Sequence, residues 1–184
     1  MPRKILIVVD MQNDFVTGPL GTPEARAIVP ACCRKIKAHL DESEENVVIL
    51  TQDTHAPDYL DTLEGQRLPV QHCIIGSVGW KIIDVLPPDP VPDHQLFSVV
   101  KATFGYTDWG SDLGKLDQYS FELIGVCTDI CVVSNALILR AYYPNAQITV
   151  DASCCAGSSP ERHKAALEVM RSCQIDVIGD DVHA

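Results

Sequence analysis

The chain has 184 residues, which suits one domain, and apolar residues make up 46% of it, so neither a disordered nor a fibrous protein is expected. Its 25 acidic and 14 basic side chains give a formal net charge of −11. This charge repels phosphate groups at long range, which argues against nucleic acid and anionic membranes as partners. We therefore predict a single domain over residues 1–184 that binds neither.

The N-terminal segment and the cysteines favour a cytoplasmic protein. The apolar run Ile5–Val9 ends at Asp10 and is too short for a signal peptide, and no other run approaches the length of a membrane span. Four of the eight cysteines form two adjacent pairs, Cys32-Cys33 and Cys154-Cys155. Without a secretory signal, this pattern predicts reduced thiols in a cytosol rather than a disulfide framework.

Short apolar runs rich in Val and Ile predict the strands of a parallel sheet. They are Ile5–Val9, Val47–Leu50, Leu96–Val100, Phe121–Val126, Ile148–Val150 and Ile175–Ile178. Because the runs are apolar throughout, we expect strands that are buried on both faces. Helical segments alternate with them, over Pro30–Leu40, Thr128–Ala141 and a segment opened by Ser159-Pro160-Glu161. The alternation predicts a doubly wound α/β sheet of about six mostly parallel strands, flanked by helices.

Three reactive side chains are expected at one edge of this sheet, because ligands bind outside the carboxyl ends of such strands. Asp10 follows the first strand, Lys101 follows the third, and Cys131 lies in the first turn of the helix after the fourth. Helix N-terminal N–H groups and a nearby ammonium are expected to lower the pKa of the thiol, while the carboxylate takes its proton. The alternative is a buried structural cysteine.

The long irregular segment Thr51–Gly79 contains a candidate metal site. Asp53 and His55 lie two residues apart and face the same way on extended backbone, and Glu64 and His72 follow. A carboxylate and imidazoles suit Zn²⁺, Fe²⁺, Mn²⁺ or Co²⁺. The alternative is a polar loop with two solvated histidines.

These residues together resemble a known family. Asp10 followed by Asn13-Asp14-Phe15, then Lys101, then the stretch GVCTDICV at Gly125–Val132, is similar to the isochorismatase-like cysteine hydrolases. The resemblance extends from the first strand through the last helix. Within that superfamily the chain is most similar to the nicotinamidases.

The resemblance implies a catalytic triad of Asp10, Lys101 and Cys131. It also implies an oxyanion hole formed by the backbone N–H groups of Cys127 and Cys131. In this family the hole surrounds a non-proline cis peptide bond, which would fall between Val126 and Cys127. Such a bond is rare, so its presence or absence is a sharp test.

The resemblance also implies one divalent metal ion, which would be zinc, iron or manganese. In nicotinamidases an Asp, a His and a second His bind the ion, here Asp53, His55 and His72. Some members add a Glu between them, and Glu64 stands at that place. The ion would hold and orient the substrate.

Two departures from the nicotinamidase pattern concern the substrate. Nicotinamidases usually place an aromatic residue shortly before the second metal-binding histidine, but Leu68–Gln71 contains none. The segment after Lys101 also differs, although Phe15, Phe104 and Tyr106 are expected to enclose a flat ring. The resemblance still implies a small carboxamide substrate, with nicotinamide converted to nicotinate and ammonia through a thioester, as in NAD salvage. It also implies a homo-oligomer.

Three alternatives remain open from the sequence. The first is hydrolysis of another small amide, such as an N-carbamoyl or ureido compound. The second is ether cleavage of the isochorismatase type, which needs no cysteine nucleophile. The third belongs to another class of protein, a non-catalytic metal-binding or thiol redox module.

Overall fold

The computed structural model describes residues 3–87, 91–114 and 119–180. The strands are β1 (Arg3–Val9), β2 (Val47–Asp53), β3 (Leu96–Lys101), β4 (Tyr119–Val126), β5 (Gln147–Ala156) and β6 (Asp176–Ile178). The helices are α1 (Asn13–Val16), α2 (Pro23–Glu42), α3 (Leu63–Arg67), α4 (Trp109–Asp112), α5 (Val133–Tyr142) and α6 (Pro160–Ser172). A 3₁₀ turn spans Tyr59–Asp61 and a π-helical turn spans Thr128–Val132. In the described parts of the chain, every helix is too short or too polar to cross a lipid bilayer.

The strands form one sheet in the order β3-β2-β1-β4-β5-β6, and every neighbouring pair is parallel. This confirms the predicted doubly wound α/β class. The order reverses between β1 and β4, where Val9 pairs with Gly125. In such sheets the ligand crevice opens at this reversal, beyond the carboxyl ends of the strands. Asp10 and Cys127 are therefore the first residues to enter it from β1 and β4.

The central strands are buried on both faces, as the apolar runs predicted. On one face Ile5, Ile7 and Val9 pack in a cluster with side chains of α5 and α6. On the other face Leu6 and Val8 pack in a cluster with side chains of α2. The alternation of side chains along β1 thus supplies two cores, one on each side of the sheet.

The predicted burial on both faces is wrong for β3 and β6, which lie at the two edges of the sheet. In β3, Phe97 is 47% exposed and Val100 is 57% exposed, and in β6, Ile178 is 44% exposed. An edge strand has a neighbour on one side alone, so its apolar side chains receive less cover than those of a central strand. Composition alone cannot distinguish such a strand from a central one.

The helix predicted to begin at Pro30 begins at Pro23 instead. Thr22 caps it by accepting a hydrogen bond from the backbone N–H of Ala25, and Pro30 lies inside the helix. The proline at the first helical position is therefore Pro23, which the sequence interpretation missed. The predicted opening of the last helix is confirmed, because Ser159 caps α6.

Gly125 is expected to be essential for the packing of β4 against β1. Its φ is +115°, and a Cβ atom there would lie 2.2 Å from the carbonyl oxygen of Val9. We expect Gly125→Ala to lower the free energy of unfolding by at least about 3 kcal/mol, measured by chemical denaturation. Gly76→Ala is the matched control, because Gly76 has a φ of +79° but nothing within 4 Å of the added atom. Equal losses in the two variants would contradict this account of the close approach.

Candidate active site

The structure brings together the three reactive side chains that the sequence placed at one edge of the sheet. The Lys101 ammonium lies 2.7 Å from Oδ2 of Asp10 and donates to Sγ of Cys131 at 3.7 Å. All three residues are buried, with at most 5% of any of them exposed. A carboxylate, an ammonium and a thiol are therefore in contact and largely shielded from solvent.

Asp10 is fixed by the neighbouring strand. It has a φ of +49°, a conformation that side-chain-bearing residues rarely adopt. Its N–H donates to Oγ1 of Thr51 at 3.2 Å, and that hydroxyl donates to Oδ1 of Asp10 at 2.6 Å. One carboxylate oxygen is thus held by Thr51 and the other by Lys101. Burial raises the pKa of Asp10 above its ordinary value, although the charge of Lys101 opposes the shift.

The prediction that the Cys131 thiol has a lowered pKa is wrong. Burial raises this pKa well above its ordinary value, and the negative charge of Asp10 adds to the shift. Lys101 lowers it, but by less than burial raises it. Cys131 therefore rests as a thiol, and a base must remove its proton when it attacks.

The segment that carries Cys131 is a π-helical turn, where the sequence predicted an α-helix from Thr128. The N–H of Val132 donates to the carbonyl oxygen of Cys127 at 3.0 Å, and α5 begins only at Val133. The peptide bond between Val126 and Cys127 is cis, as the family resemblance implied. The oxyanion hole at the N–H groups of Cys127 and Cys131 remains a prediction.

Two side chains of this turn bind the region where α6 begins. Oγ1 of Thr128 lies 2.8 Å from Nδ1 of His163, and both residues are buried. The Asp129 carboxylate accepts hydrogen bonds from the N–H and the hydroxyl of Ser158, at 2.7 and 2.6 Å. This π-helical turn is therefore anchored to the region where α6 begins.

The candidate metal ligands form a cluster beside the reactive cysteine. The ligand atoms of Asp53, His55 and His72 all lie within 4.8 Å of one another, and all three residues are buried. Oε1 of Glu64 lies 3.8 Å from Nε2 of His55 and 3.9 Å from Nε2 of His72. A buried carboxylate with two imidazoles is a donor set that fits a divalent transition metal, and Glu64 is near enough to complete it.

The orientation of both histidines is set by the backbone and by an aromatic ring. Nδ1 of His72 donates to the carbonyl oxygen of Val70 at 2.8 Å, so Nε2 keeps its lone pair for the cluster. The buried ring of Tyr59 lies 4.6 Å from the ring of His55 and 4.9 Å from that of His72. Tyr59 therefore supplies an aromatic neighbour that the segment before His72 lacks. Its place in an irregular loop gave no signal in the sequence.

The segment that joins β1 to α1, together with the first turn of α1, positions both segments that carry the candidate metal ligands. Oε1 of Gln12 accepts the N–H of Asp53 at 2.7 Å, and Nε2 of Gln12 donates to the Asp53 carbonyl at 2.9 Å. The carboxylate of Asp14 accepts the N–H of Cys73 at 2.8 Å. The sequence analysis predicts no such positioning role for Gln12 or Asp14.

Lys101 connects the metal cluster with the catalytic candidates. Its ammonium lies 3.3 Å from Oδ1 of Asp53, its partner in the register of β2 and β3. Burial alone would raise the pKa of Asp53, but hydrogen bonds from His55 and His72 and the charge of Lys101 hold this pKa well below its ordinary value. Burial alone would lower the pKa of Lys101, but its interactions with Asp10, Cys131 and Asp53 raise this pKa above its ordinary value. The ammonium therefore stays charged.

The three aromatic residues that were expected to enclose a substrate ring differ in burial and in contacts, and their role in binding a substrate remains a prediction. Phe15 is buried and its ring lies 5.4 Å from that of His72, beside the metal cluster. Phe104 is 47% exposed. Tyr106 packs edge-on against Trp109 and donates its hydroxyl hydrogen to Asp112 at 2.5 Å, so its hydroxyl is bound to α4.

Comparisons with known proteins extend over nearly the whole chain. The isochorismatase domain family matches residues 4–181. The nicotinamidase of Schizosaccharomyces pombe is 29% identical over 95% of this chain and 92% of its own. A crystal structure of the nicotinamidase/pyrazinamidase of Bacillus subtilis has a TM-score of 0.80 and 27% identity, and the match covers 95% of this chain and 98% of that one. The N-carbamoylsarcosine amidase of Thermoplasma acidophilum has a TM-score of 0.73 and 26% identity, with 95% of each chain covered.

Proposed function

Since the chain belongs to the isochorismatase family and is a hydrolase that acts on amide C–N bonds, we propose that it converts nicotinamide to nicotinate and ammonia. The observation that carries the proposal is the contact of Lys101 with both Asp10 and Cys131, beside a cluster of metal-ligand type. A buried thiol next to a carboxylate base suits nucleophilic attack on a carboxamide carbon. The neighbouring Asp and His side chains suit a divalent ion, which in turn would bind a ring nitrogen of the substrate.

The first half of the reaction forms a thioester. Asp10 removes the proton of the Cys131 thiol as Sγ attacks the amide carbon, and the carbonyl oxygen becomes an oxyanion. The backbone N–H groups of Cys127 and Cys131 hold this oxyanion. Asp10 then returns the proton to the amide nitrogen, the C–N bond breaks and ammonia leaves. Lys101 keeps its charge throughout and stabilises the thiolate as it forms.

The second half releases the acid. A water molecule replaces ammonia, Asp10 takes one of its protons, and the oxygen attacks the thioester carbon. The C–S bond breaks and the Cys131 sulfur recovers its proton from Asp10. The raised pKa of Asp10 suits this double role, because a stronger base accepts the proton more readily than an ordinary carboxylate does.

The residues Asp53, His55 and His72, with Glu64, would hold the divalent ion. When bound, the ion supplies a Lewis acid for the pyridine nitrogen and so fixes the ring while the carboxamide faces Cys131. Phe15 lies against His72 and adds an apolar surface at the same place. The identity of the ion does not affect the roles of Asp10, Lys101 and Cys131.

A second candidate substrate is an N-carbamoyl or ureido compound. The absence of an aromatic residue in Leu68–Gln71 favours it, as does the likeness to the N-carbamoylsarcosine amidase. Such a substrate has no pyridine nitrogen and would not depend on the ion in the same way.

Ammonia release from nicotinamide, benzamide and an N-carbamoyl amino acid tests the proposal and separates the two candidates. We expect kcat/KM for nicotinamide to exceed that for benzamide at least about tenfold, because benzamide lacks the ring nitrogen. A preference for the N-carbamoyl compound would reject nicotinamide but keep the cysteine hydrolase. No turnover of any amide would favour the non-catalytic module.

Thr51 is expected to orient the Asp10 carboxylate. Thr51→Val removes the hydroxyl that donates to Oδ1 of Asp10 at 2.6 Å. The carboxylate can then turn away from Cys131, so kcat/KM should fall about 10- to 100-fold, although loss of this hydrogen bond raises the pKa of Asp10 further. Thr149→Val in β5 is the matched control and should change kcat/KM less than about twofold. Steady-state kinetics at a saturating metal concentration give both values, and equal effects would remove Thr51 from the account.

A further inference from the structure

Asn135 is a buried amide whose hydrogen bonds all go to segments around the reactive cysteine. It lies in α5, one turn after Cys131, and is 0% exposed. Its Nδ2 donates to the carbonyl oxygen of Cys131 at 2.8 Å and to that of Phe104 at 3.4 Å. Its Oδ1 accepts the N–H of Tyr106 at 2.9 Å and the indole N–H of Trp109 at 3.1 Å. Both donor hydrogens and both acceptor positions of the amide are therefore used.

Three of these bonds join two parts of the chain that must keep a fixed relation for catalysis, and the fourth reaches Trp109, the first residue of α4. One part is the π-helical turn that carries Cys131, called here the nucleophile turn. The other is the loop over residues 102–108, which follows Lys101 directly. This loop also packs closely on α5, because a Cβ atom on Gly105 would lie 3.2 Å from the backbone carbon of Ser134. The loop is thus fixed at two places, where Lys101 before it contacts Cys131 of the π-helical turn and where Phe104 and Tyr106 are bonded to Asn135 of α5.

The chemistry of the site requires an amide at this position. Two of the partners of Asn135 are carbonyl oxygens that need a donor, and two are N–H groups that need an acceptor. A carboxylate supplies no donor, and an apolar side chain supplies neither, so each would leave buried polar groups without partners. An asparagine meets both needs from one side chain.

We propose that Asn135 is a positioning residue, which holds the 102–108 loop against the nucleophile turn and so sets the place of a small carboxamide relative to Sγ of Cys131. Asn135 touches neither the substrate nor the sulfur and acts through the two segments that it joins. The part of the proposal that concerns substrate rests on the amide hydrolysis proposed above. The part that concerns the geometry around Cys131 does not.

The test compares Asn135→Ala with Asn46→Ala in the full-length protein. Asn46 is also buried and donates to the carbonyl oxygen of His39 at 2.8 Å, at the amino end of β2 and far from Asp53 at its carboxyl end. Asn135→Ala leaves more buried partners without a hydrogen bond than Asn46→Ala does, so a larger loss of stability is expected for it, and the two variants are compared at a temperature where both are folded. Asn135→Asp is the second variant, because it keeps the size of the side chain and its acceptor oxygen but replaces the donors with a second carboxylate oxygen.

Two readouts separate positioning from a merely structural role. One is the rate at which iodoacetamide, itself a small carboxamide, alkylates Cys131, followed by peptide mass spectrometry. The other is KM against kcat for nicotinamide. For both Asn135 variants we expect the alkylation rate to fall at least about tenfold and KM to rise by a similar factor. For Asn46→Ala we expect both to stay within about twofold of the wild-type values.

The outcomes distinguish this inference from the proposed function. Alkylation and KM that match the Asn46→Ala values in both Asn135 variants would overturn the positioning role. If the wild-type protein hydrolyses no amide but the Asn135 variants still slow alkylation, the proposed function fails and the positioning of the loop against Cys131 stands. If Asn135→Ala does not fold, the Asn135→Asp variant decides the question by the same two measurements.

Discussion

Cys131→Ala is expected to lower kcat/KM for amide hydrolysis at least about 10⁴-fold, which makes it the most damaging single change. The reason is that the account gives every covalent step to Sγ, which the Lys101 ammonium contacts at 3.7 Å, and alanine has no atom that can take its place. Ammonia release measured with the metal-loaded variant checks the prediction. Since Cys131 is buried beside α5, a thermal unfolding curve should accompany the assay.

A matched control separates the nucleophile from the other thiols. Cys33→Ala removes a half-buried sulfur of α2, which contacts the carbonyl oxygen of Val85. It should leave kcat/KM within about twofold of wild type, because a substitution away from the site acts mainly on stability. Substantial hydrolysis by Cys131→Ala would reject covalent catalysis and bring back a mechanism that needs no thiol, such as the ether cleavage considered from the sequence.

His72→Ala is expected to have the second largest effect, through the loss of the metal ion. His72 presents Nε2 to the cluster because its Nδ1 is bound to the Val70 carbonyl oxygen. Alanine removes this oriented donor atom from the candidate metal site. We expect metal affinity to fall at least about 100-fold, measured by titration and by the metal content of the purified protein. The KM for nicotinamide should rise in the same variant.

Removal of the ion from the wild-type protein should reproduce this effect. Chelation is expected to lower the rate with nicotinamide at least about tenfold, and added Zn²⁺, Mn²⁺ or Fe²⁺ should restore it. For the His72→Ala variant the control is His94→Ala, since His94 is exposed and lies outside the cluster. A His72→Ala protein that binds the metal as tightly as wild type would show that the Asp53 cluster is not the metal site.

The sheet and its reactive edge could be predicted from the sequence because both follow from local patterns. Continuous Val- and Ile-rich runs specify central parallel strands, and the residue after each run falls at the carboxyl edge. Asp10, Lys101 and Cys131 were therefore placed together without any knowledge of contacts. The same logic failed at β3, because burial of an edge strand depends on the neighbours that it lacks.

The polar partners of the site could not be predicted, because each depends on contacts between distant segments. Thr51 donates to Asp10 from another strand, and the ring of Tyr59 contacts the rings of His55 and His72. Asn135 accepts a hydrogen bond from Tyr106, which lies 29 residues before it along the chain. The direction of the pKa shift of the Cys131 thiol could not be predicted from the sequence either. It depends on whether burial or the Lys101 charge is larger, and that balance exists only in the folded protein.

The measurement that tests the central claim most directly is mass spectrometry of the enzyme quenched with acid during turnover of nicotinamide. The account predicts a nicotinoyl group on the peptide that contains Cys131, bound as a thioester and absent from Cys131→Ala. Hydroxylamine added before the quench should remove it and yield the hydroxamate. Continued hydrolysis with an unmodified Cys131, together with full activity of the Cys131→Ala protein, would contradict the claim.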